Sequence, residues 1–154
     1  MTAETDAACF VCTNSASDAD VPRENIARTR HWRVAHAFNS TLPGWLVVVP
    51  LDHVESFAGL APAAMSELGE LLGATSRALQ AELGCRKTYT MQFSEAQGFQ
   101  HLHVHVVPRM ADLPEEHRGP RIFHYLSQHE SDWPSTTTID ALATRLAAAV
   151  ARER

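Results

Sequence analysis

His101-Leu-His-Val-His-Val-Val107 carries three histidines at a spacing of two. Successive side chains of a β-strand point to opposite faces, so the stretch reads as a strand. His101, His103 and His105 then line one face, and Leu102, Val104 and Val106 the other. At ~3.3 Å per residue the outer two imidazoles lie roughly 13 Å apart along the strand. A metal–imidazole bond is only about 2.0–2.1 Å long, so one ion takes two neighbours of the row but hardly all three. The row must divide its duties. Histidine is not a preferred strand former and it titrates near neutrality, so three on one face point to function. Spacing alone leaves metal binding, acid–base work and nucleophilic catalysis open.

Around this strand the chain alternates between period-two and helical patterns. Lys87–Phe93 alternates as a strand, and Ser94–Gln100 is the loop before the triplet. Trp45-Leu-Val-Val-Val-Pro50 is a continuous apolar run, which predicts a buried central strand. Asn39–Gly44 is turn chemistry, and Ile26–Arg30 and Trp32–Phe38 fit two short strands. Ala61-Pro62 opens a helix with proline where its missing N–H is harmless, and Gly84 ends it. Met65, Leu68, Leu72, Leu79 and Leu83 form its expected apolar stripe. Gly69 and Gly73 lie one turn apart on another face. They are either tolerated breaks or a place where a second backbone comes close, within the fold or across a dimer. Pro108 is expected to close the histidine strand. Beyond it comes a long polar segment, then a helix from about Ile139 to the end. Residues 1–8 read as frayed and 13–22 as a polar loop. Strands, helix, strands, helix make an α+β fold, with one mostly antiparallel sheet of about five strands, one long central helix and a C-terminal helix.

The chain has 154 residues, 45% of them hydrophobic and 20% charged, which suits a single domain over 1–154 with a proper core. A net charge of −5 offers no basic field for a nucleic acid polymer. No apolar run reaches the length of a membrane span. The acidic start, Met-Thr-Ala-Glu-Thr-Asp-Ala-Ala, lacks the apolar centre of a secretory signal. A cytoplasmic, reducing location is the expectation, where three cysteines serve as thiols or ligands rather than disulfides.

Cys9-Phe-Val-Cys12 is a C-x-x-C pair able to chelate zinc from a tight turn. No second such pair exists, so the remaining donors must be histidines. His101 is one candidate, and His53, just past the apolar strand in Pro50-Leu-Asp-His-Val-Glu-Ser, is another. A site of Cys9, Cys12, His53 and His101 would pin the N-terminus to the sheet. A redox pair or two small core residues are the competing readings. Cys85 reads as a small buried hydrophobe.

His101-Leu-His-Val-His-Val-Val107 resembles the histidine triad (HIT) motif, His-φ-His-φ-His-φ-φ with φ hydrophobic. Pro43-Gly44 before Trp45-Leu-Val-Val-Val-Pro50 is similar to that family's Pro-Gly-His-φ-φ-φ-φ-Pro strand. Gln97, four residues before the triad, matches a glutamine of its phosphate-binding loop, and Met91-Gln92 resembles a dipeptide of the fragile histidine triad branch. The likeness covers about Cys9 to Arg109, with 110–154 as a less readable C-terminal segment and helix. It implies an α+β homodimer that binds a purine nucleotide or a dinucleoside polyphosphate. It implies a nucleotidyl hydrolase in which His103 attacks the α-phosphate and His105 assists the leaving group. Adenosine phosphoramidase, nucleotidylyltransferase or phosphorylase, and a non-catalytic nucleotide-binding module are the alternatives. In zinc-bearing branches the first histidine joins the C-x-x-C pair and an upstream histidine, which supports His101 and His53 as ligands of a structural zinc. Gln97 and Gln92 are the expected phosphate-side contacts. The likeness departs at two positions. Trp45 stands where the family usually has histidine, so a polar contact is expected to be missing. Ala37 stands where an acid or amide usually holds the ribose, and Asn39 is the nearby substitute.

Overall fold

The computed structural model describes residues 6–17 and 20–154. The expected fraying of residues 1–8 lies mostly outside them. Residues 6–8 form a turn in which the Cys9 amide donates to the Asp6 carbonyl. Of the stretch expected to be a polar loop, 13–16 instead close a short helix, α1 (Phe10–Ala16), while 17 and 20–21 are irregular as expected, Pro22 opens a single 3-10 turn (Pro22–Glu24), and 18–19 lie outside the described residues.

The rest follows the expected order: β1 (Ala27–Arg28), β2 (Trp32–His36), β3 (Leu46–Pro50), α2 (Pro62–Leu83), β4 (Lys87–Gln92), β5 (Val104–Arg109) and α3 (Thr136–Glu153). The five strands form one antiparallel sheet in the order β1-β2-β3-β5-β4. The apolar run of β3 is therefore central, as its composition requires. The turn from β2 into β3 needs Gly44. Its φ is +88°, and a Cβ there would meet Leu83 Cδ1 at 2.5 Å.

α2 begins with proline in its first turn and ends at Gly84, whose left-handed backbone (φ +67°) lets its N–H reach the Gln80 carbonyl. Its buried face differs from the expected stripe. Ala64, Leu68, Leu71, Ala74, Thr75, Ala78 and Leu79 are buried, Leu72 and Leu83 are half-buried, and Met65 is 41% exposed. α2 packs on β4 and β5 and also on α3, so small residues face its neighbours where the backbones come close. α3 starts three residues earlier than expected, because Ser135 caps it by accepting from the Thr138 amide.

One face of the sheet carries the main core. Trp32, Val34, Leu46, Val48, Leu102, Val104 and Val106 pack under α2 and α3, and the Trp32 indole donates to the Ala64 carbonyl. The opposite face has two separate covers. α1 places Cys9, Val11 and Cys12 over Val49, while the segment around Leu113 and Ile122 covers Ala37, Trp45 and Val107. The gap between these covers leaves the middle of that face open. Among the described residues no helix is long and apolar enough to cross a membrane.

The histidine strand is the main boundary correction. Its ladder runs Val104–Arg109, not His101–Val107, and Pro108 lies within it opposite Thr88. The β3 ladder ends at Leu46↔Val106, so proline at 108 breaks no bond to β3. At the other end the triad's backbone is used elsewhere. The Leu102 amide donates to the Val54 carbonyl, and the His103 amide donates to Ser94 Oγ. The alternation of faces persists upstream of the ladder: Leu102, Val104 and Val106 all enter the main core.

Candidate active site and metal centre

His101 turns away from its two companions. It is buried, and its Nδ1 lies 3.5 Å from the sulfurs of both Cys9 and Cys12. His53 Nδ1 lies 3.4 Å from Cys12 Sγ, and its ring stands perpendicular to that of His101. All four donor atoms fall within 4.8 Å of one another, the one such cluster among the described residues. Zinc bonding sulfur at about 2.3 Å and nitrogen at about 2.0–2.1 Å in a tetrahedron would space those donors about 3.6 Å apart. The three sulfur–nitrogen separations given above, 3.4 to 3.5 Å, lie close to that figure. The His101 Nε2–H donates to the Pro50 carbonyl at 3.0 Å, which leaves Nδ1 as the lone-pair nitrogen. Burial, with His53 and His103 nearby, lowers His101 to about 4, so the ring is neutral and fit to ligate. These four residues could hold a metal.

His103 and His105 face the open middle of the sheet, in a cavity of about 780 Å³. Its floor is Ala35, Val47 and Val49, one wall is Phe10, Val11 and Asn14 of α1, and the other is Phe123, Leu126 and Gln128. The His101 carbonyl lies 2.9 Å from His103 Nδ1. A carbonyl only accepts, so Nδ1 carries the proton and Nε2 keeps its lone pair. Ser94 supports this placement. It is 8% exposed with φ +56°, and its Oγ accepts from the His103 amide at 3.2 Å and from Gln92 Nε2 at 3.0 Å. The His103 and His105 rings meet edge-on at 5.0 Å. Burial, reinforced by His103, lowers His105 to about 4.

The other expected residues are placed as follows. Gln97 is exposed and lines the cavity, as does Asn39, whose carbonyl accepts from the Ser127 amide. Gln92 stands one step back, its amide holding Ser94. Ala37 lines the cavity and presents no polar side chain to a ribose. The polar contact expected to be lost at Trp45 is present in another form, because the indole Nε1–H donates to His105 Nδ1 at 3.0 Å.

Sequence reasoning missed the parts played by Ser94, Trp45 and His36. His36 is buried beside the cavity; its Nε2 accepts from the Gly44 amide and its Nδ1–H donates to the Ala37 carbonyl. Trp45 had a legible signal. With Val47 opposite His105 in the ladder, Trp45 stands diagonally across from it, within reach of a long aromatic side chain. Ser94 had none, since a serine with positive φ looks like any other loop serine.

The family model for the HIT domain matches residues 19–112. A zinc-bound histidine triad family protein from Mycobacterium smegmatis superposes with a TM-score of 0.65 at 17% identity, covering 94% of each chain. A hypothetical histidine triad nucleotide-binding protein from Sulfolobus tokodaii gives 0.70 at 13%, covering 94% of this chain and 93% of that one. A uridylyltransferase gives 0.65 at 17%, covering 94% of this chain but 45% of its own. At these identities the structures establish a shared fold.

Proposed function

This chain belongs to the HIT domain family, and on that premise we propose that it is a nucleotidyl hydrolase acting on a phosphoanhydride of the dinucleoside polyphosphate type. The observation that carries this reading is the 2.9 Å contact between His103 Nδ1 and the His101 carbonyl. It leaves Nε2 as the free, nucleophilic nitrogen of a residue lining a cavity of nucleotide size. His103 Nε2 attacks the α-phosphorus, the anhydride bond breaks, and water later releases the nucleotidyl group from His103. The charge built on the imidazole by the new bond is held through its Nδ1–H by the His101 carbonyl.

The purine base lies on the apolar floor of Val47 and Ala35, and Asn39 takes the ribose in place of Ala37. Gln97 and amides of its loop bind phosphate oxygens, with Gln92 acting through Ser94. Zinc on Cys9, Cys12, His53 and His101 is structural: four protein donors close the shell and leave no position for substrate. The reducing cytoplasm keeps those thiols available. The active form is a homodimer. The uridylyltransferase among the similar structures favours one second reading, transfer to an acceptor other than water.

His103→Ala tests the proposal. Turnover of a diadenosine polyphosphate should fall by at least about 1,000-fold, as expected for loss of a nucleophile, while nucleotide binding survives. Rapid quenching and mass spectrometry of the wild type should show one nucleotidyl adduct on His103. A fully active variant refutes it, and tight AMP binding with no turnover of any nucleotide would leave a binding module.

A further inference from the structure

We infer that Trp45 is a positioning residue which holds the proton of His105 on Nε2, and that this commits the site to leaving groups that depart without taking a proton. The inference rests on the nucleotidyl-transfer reading above and narrows its substrate class to anhydrides rather than phosphoramidates.

An indole nitrogen donates and never accepts. Trp45 Nε1 lies 3.0 Å from His105 Nδ1, so that Nδ1 is the acceptor and carries no hydrogen. The neutral ring's one hydrogen is then on Nε2. Packing fixes this geometry. Trp45 is fully buried among Ala37, Val107, Leu113 and Ile122, and its ring meets His105 edge-on at 87°. Phe123 closes against both rings at 5.7 Å.

An imidazolium at position 105 would need a second hydrogen on Nδ1. Two N–H groups would then face each other at hydrogen-bond distance in a buried place, at the cost of the existing bond. His103 is the titratable group that faces His105. The other residues set against it are uncharged: Trp45 just before β3, Val47 from β3, Met91 from β4, and Phe123 from the C-terminal segment. Nothing there compensates a charge, in keeping with an imidazole lowered to about 4.

A neutral imidazole N–H donates a hydrogen bond but is no useful acid near pH 7. As His103 Nε2 bonds to the α-phosphorus, the bond to the leaving group breaks and its electron pair stays on the departing atom. A phosphate or nucleoside polyphosphate oxygen holds that pair as an anion, and the His105 Nε2–H needs only to hydrogen-bond to it. An amine nitrogen must gain a proton as the P–N bond breaks, and His105 in this state has none to give. Water then attacks phosphorus, the N–P pair returns to His103 Nε2, and the water's proton passes to solvent.

Nitrogen-15 NMR of the unliganded, zinc-loaded wild type reads the tautomer directly, independent of turnover. His105 should be the Nε2–H form and stay neutral well below pH 6. A general acid is worth about 100- to 10,000-fold, so kcat/KM for a diadenosine polyphosphate should exceed that for adenosine 5′-phosphoramidate by at least about 100-fold near pH 7. Trp45→Phe keeps an aromatic ring and removes the N–H. It should raise the pH at which His105 titrates and shrink the substrate ratio about tenfold. If that variant does not fold, the wild-type tautomer and ratio still decide. An Nδ1–H tautomer in the wild type, a preference for the phosphoramidate with the adduct still on His103, or a Trp45→Phe protein unchanged in both readouts overturns the inference. Turnover of neither substrate overturns the hydrolase reading and the leaving-group claim with it, while the NMR result still decides whether Trp45 sets the tautomer.

Discussion

Three histidines at identical spacing divide into two tautomers, Nε2–H at 101 and 105 and Nδ1–H at 103, and each is set by a partner with only one possible role. The Pro50 carbonyl accepts from His101 Nε2, the His101 carbonyl accepts from His103 Nδ1, and the Trp45 indole donates to His105 Nδ1. Buried neutral imidazoles make stability depend on pH. Burial lowers both His36 and His105, the latter to about 4, below the about 6.5 of an unfolded histidine. The unfolded chain therefore takes up protons first as pH falls. The stability these rings contribute is complete above about pH 6.5 and is lost as pH falls below it; for His105 the loss runs towards about 4 and is on the order of 3 kcal/mol. Denaturant midpoints from about pH 7.5 to 4.5 should decline, and His105→Gln should decline less steeply, because metal loss in acid is common to both proteins. Equal slopes would contradict the assignment. The triad and the cysteine pair were legible because their spacing is itself the signal. Ser94 was not legible, because its part depends on a positive φ that no neighbouring residue announces.

At the scale of elements, the strands and α2 were legible from periodicity, and α1 was not. Phe10–Ala16 reads Phe-Val-Cys-Thr-Asn-Ser-Ala, which has weak helix propensity, and its N-cap side chain makes no capping bond. Seven residues do not make a stable helix alone. Tertiary contacts hold it: Cys9 and Cys12 against His53 and His101, Val11 over the sheet, and Phe10 against the rings of Phe38 and Phe99. The same helix supplies Phe10, Val11 and Asn14 to the cavity wall. Losing the metal therefore should cost substrate affinity as well as stability. Cys12→Ser should take metal content from about one zinc per chain to none, lower the thermal midpoint, and raise KM about tenfold or more. kcat should move less, since His103 keeps its carbonyl partner. A chelated protein with unchanged midpoint and unchanged KM would show that α1 holds its place unaided.

At the scale of the whole molecule, the protomer leaves one long sheet edge free. β1 at the far side is only two residues, while β4 spans six and pairs with β5 alone among the described strands. An edge of that length invites another strand. α2 lies over β4 and β5, so its outer surface adjoins the same edge. There Gly69 meets nothing within 4 Å, and a Cβ on Gly73 would touch only the Arg77 side chain, at 3.2 Å. A twofold partner would join β4 to β4 and bring the two α2 surfaces together, the commonest symmetry for such an assembly. Gly73→Leu separates this arrangement from a plain effect on folding, because the two have opposite signs. Replacing a helical glycine favours the helix by up to about 0.8 kcal/mol, and what must give way at Gly73 is the far end of the flexible Arg77 side chain, so an isolated protomer should become no less stable. Across a close helix contact the same leucine is a steric block. Sedimentation at micromolar concentration should find the wild type at twice the 17.0 kDa chain mass and the variant shifted towards the single chain, with an undiminished thermal midpoint at high dilution. A wild type that runs as a fully active 17.0 kDa species would rule the dimer out.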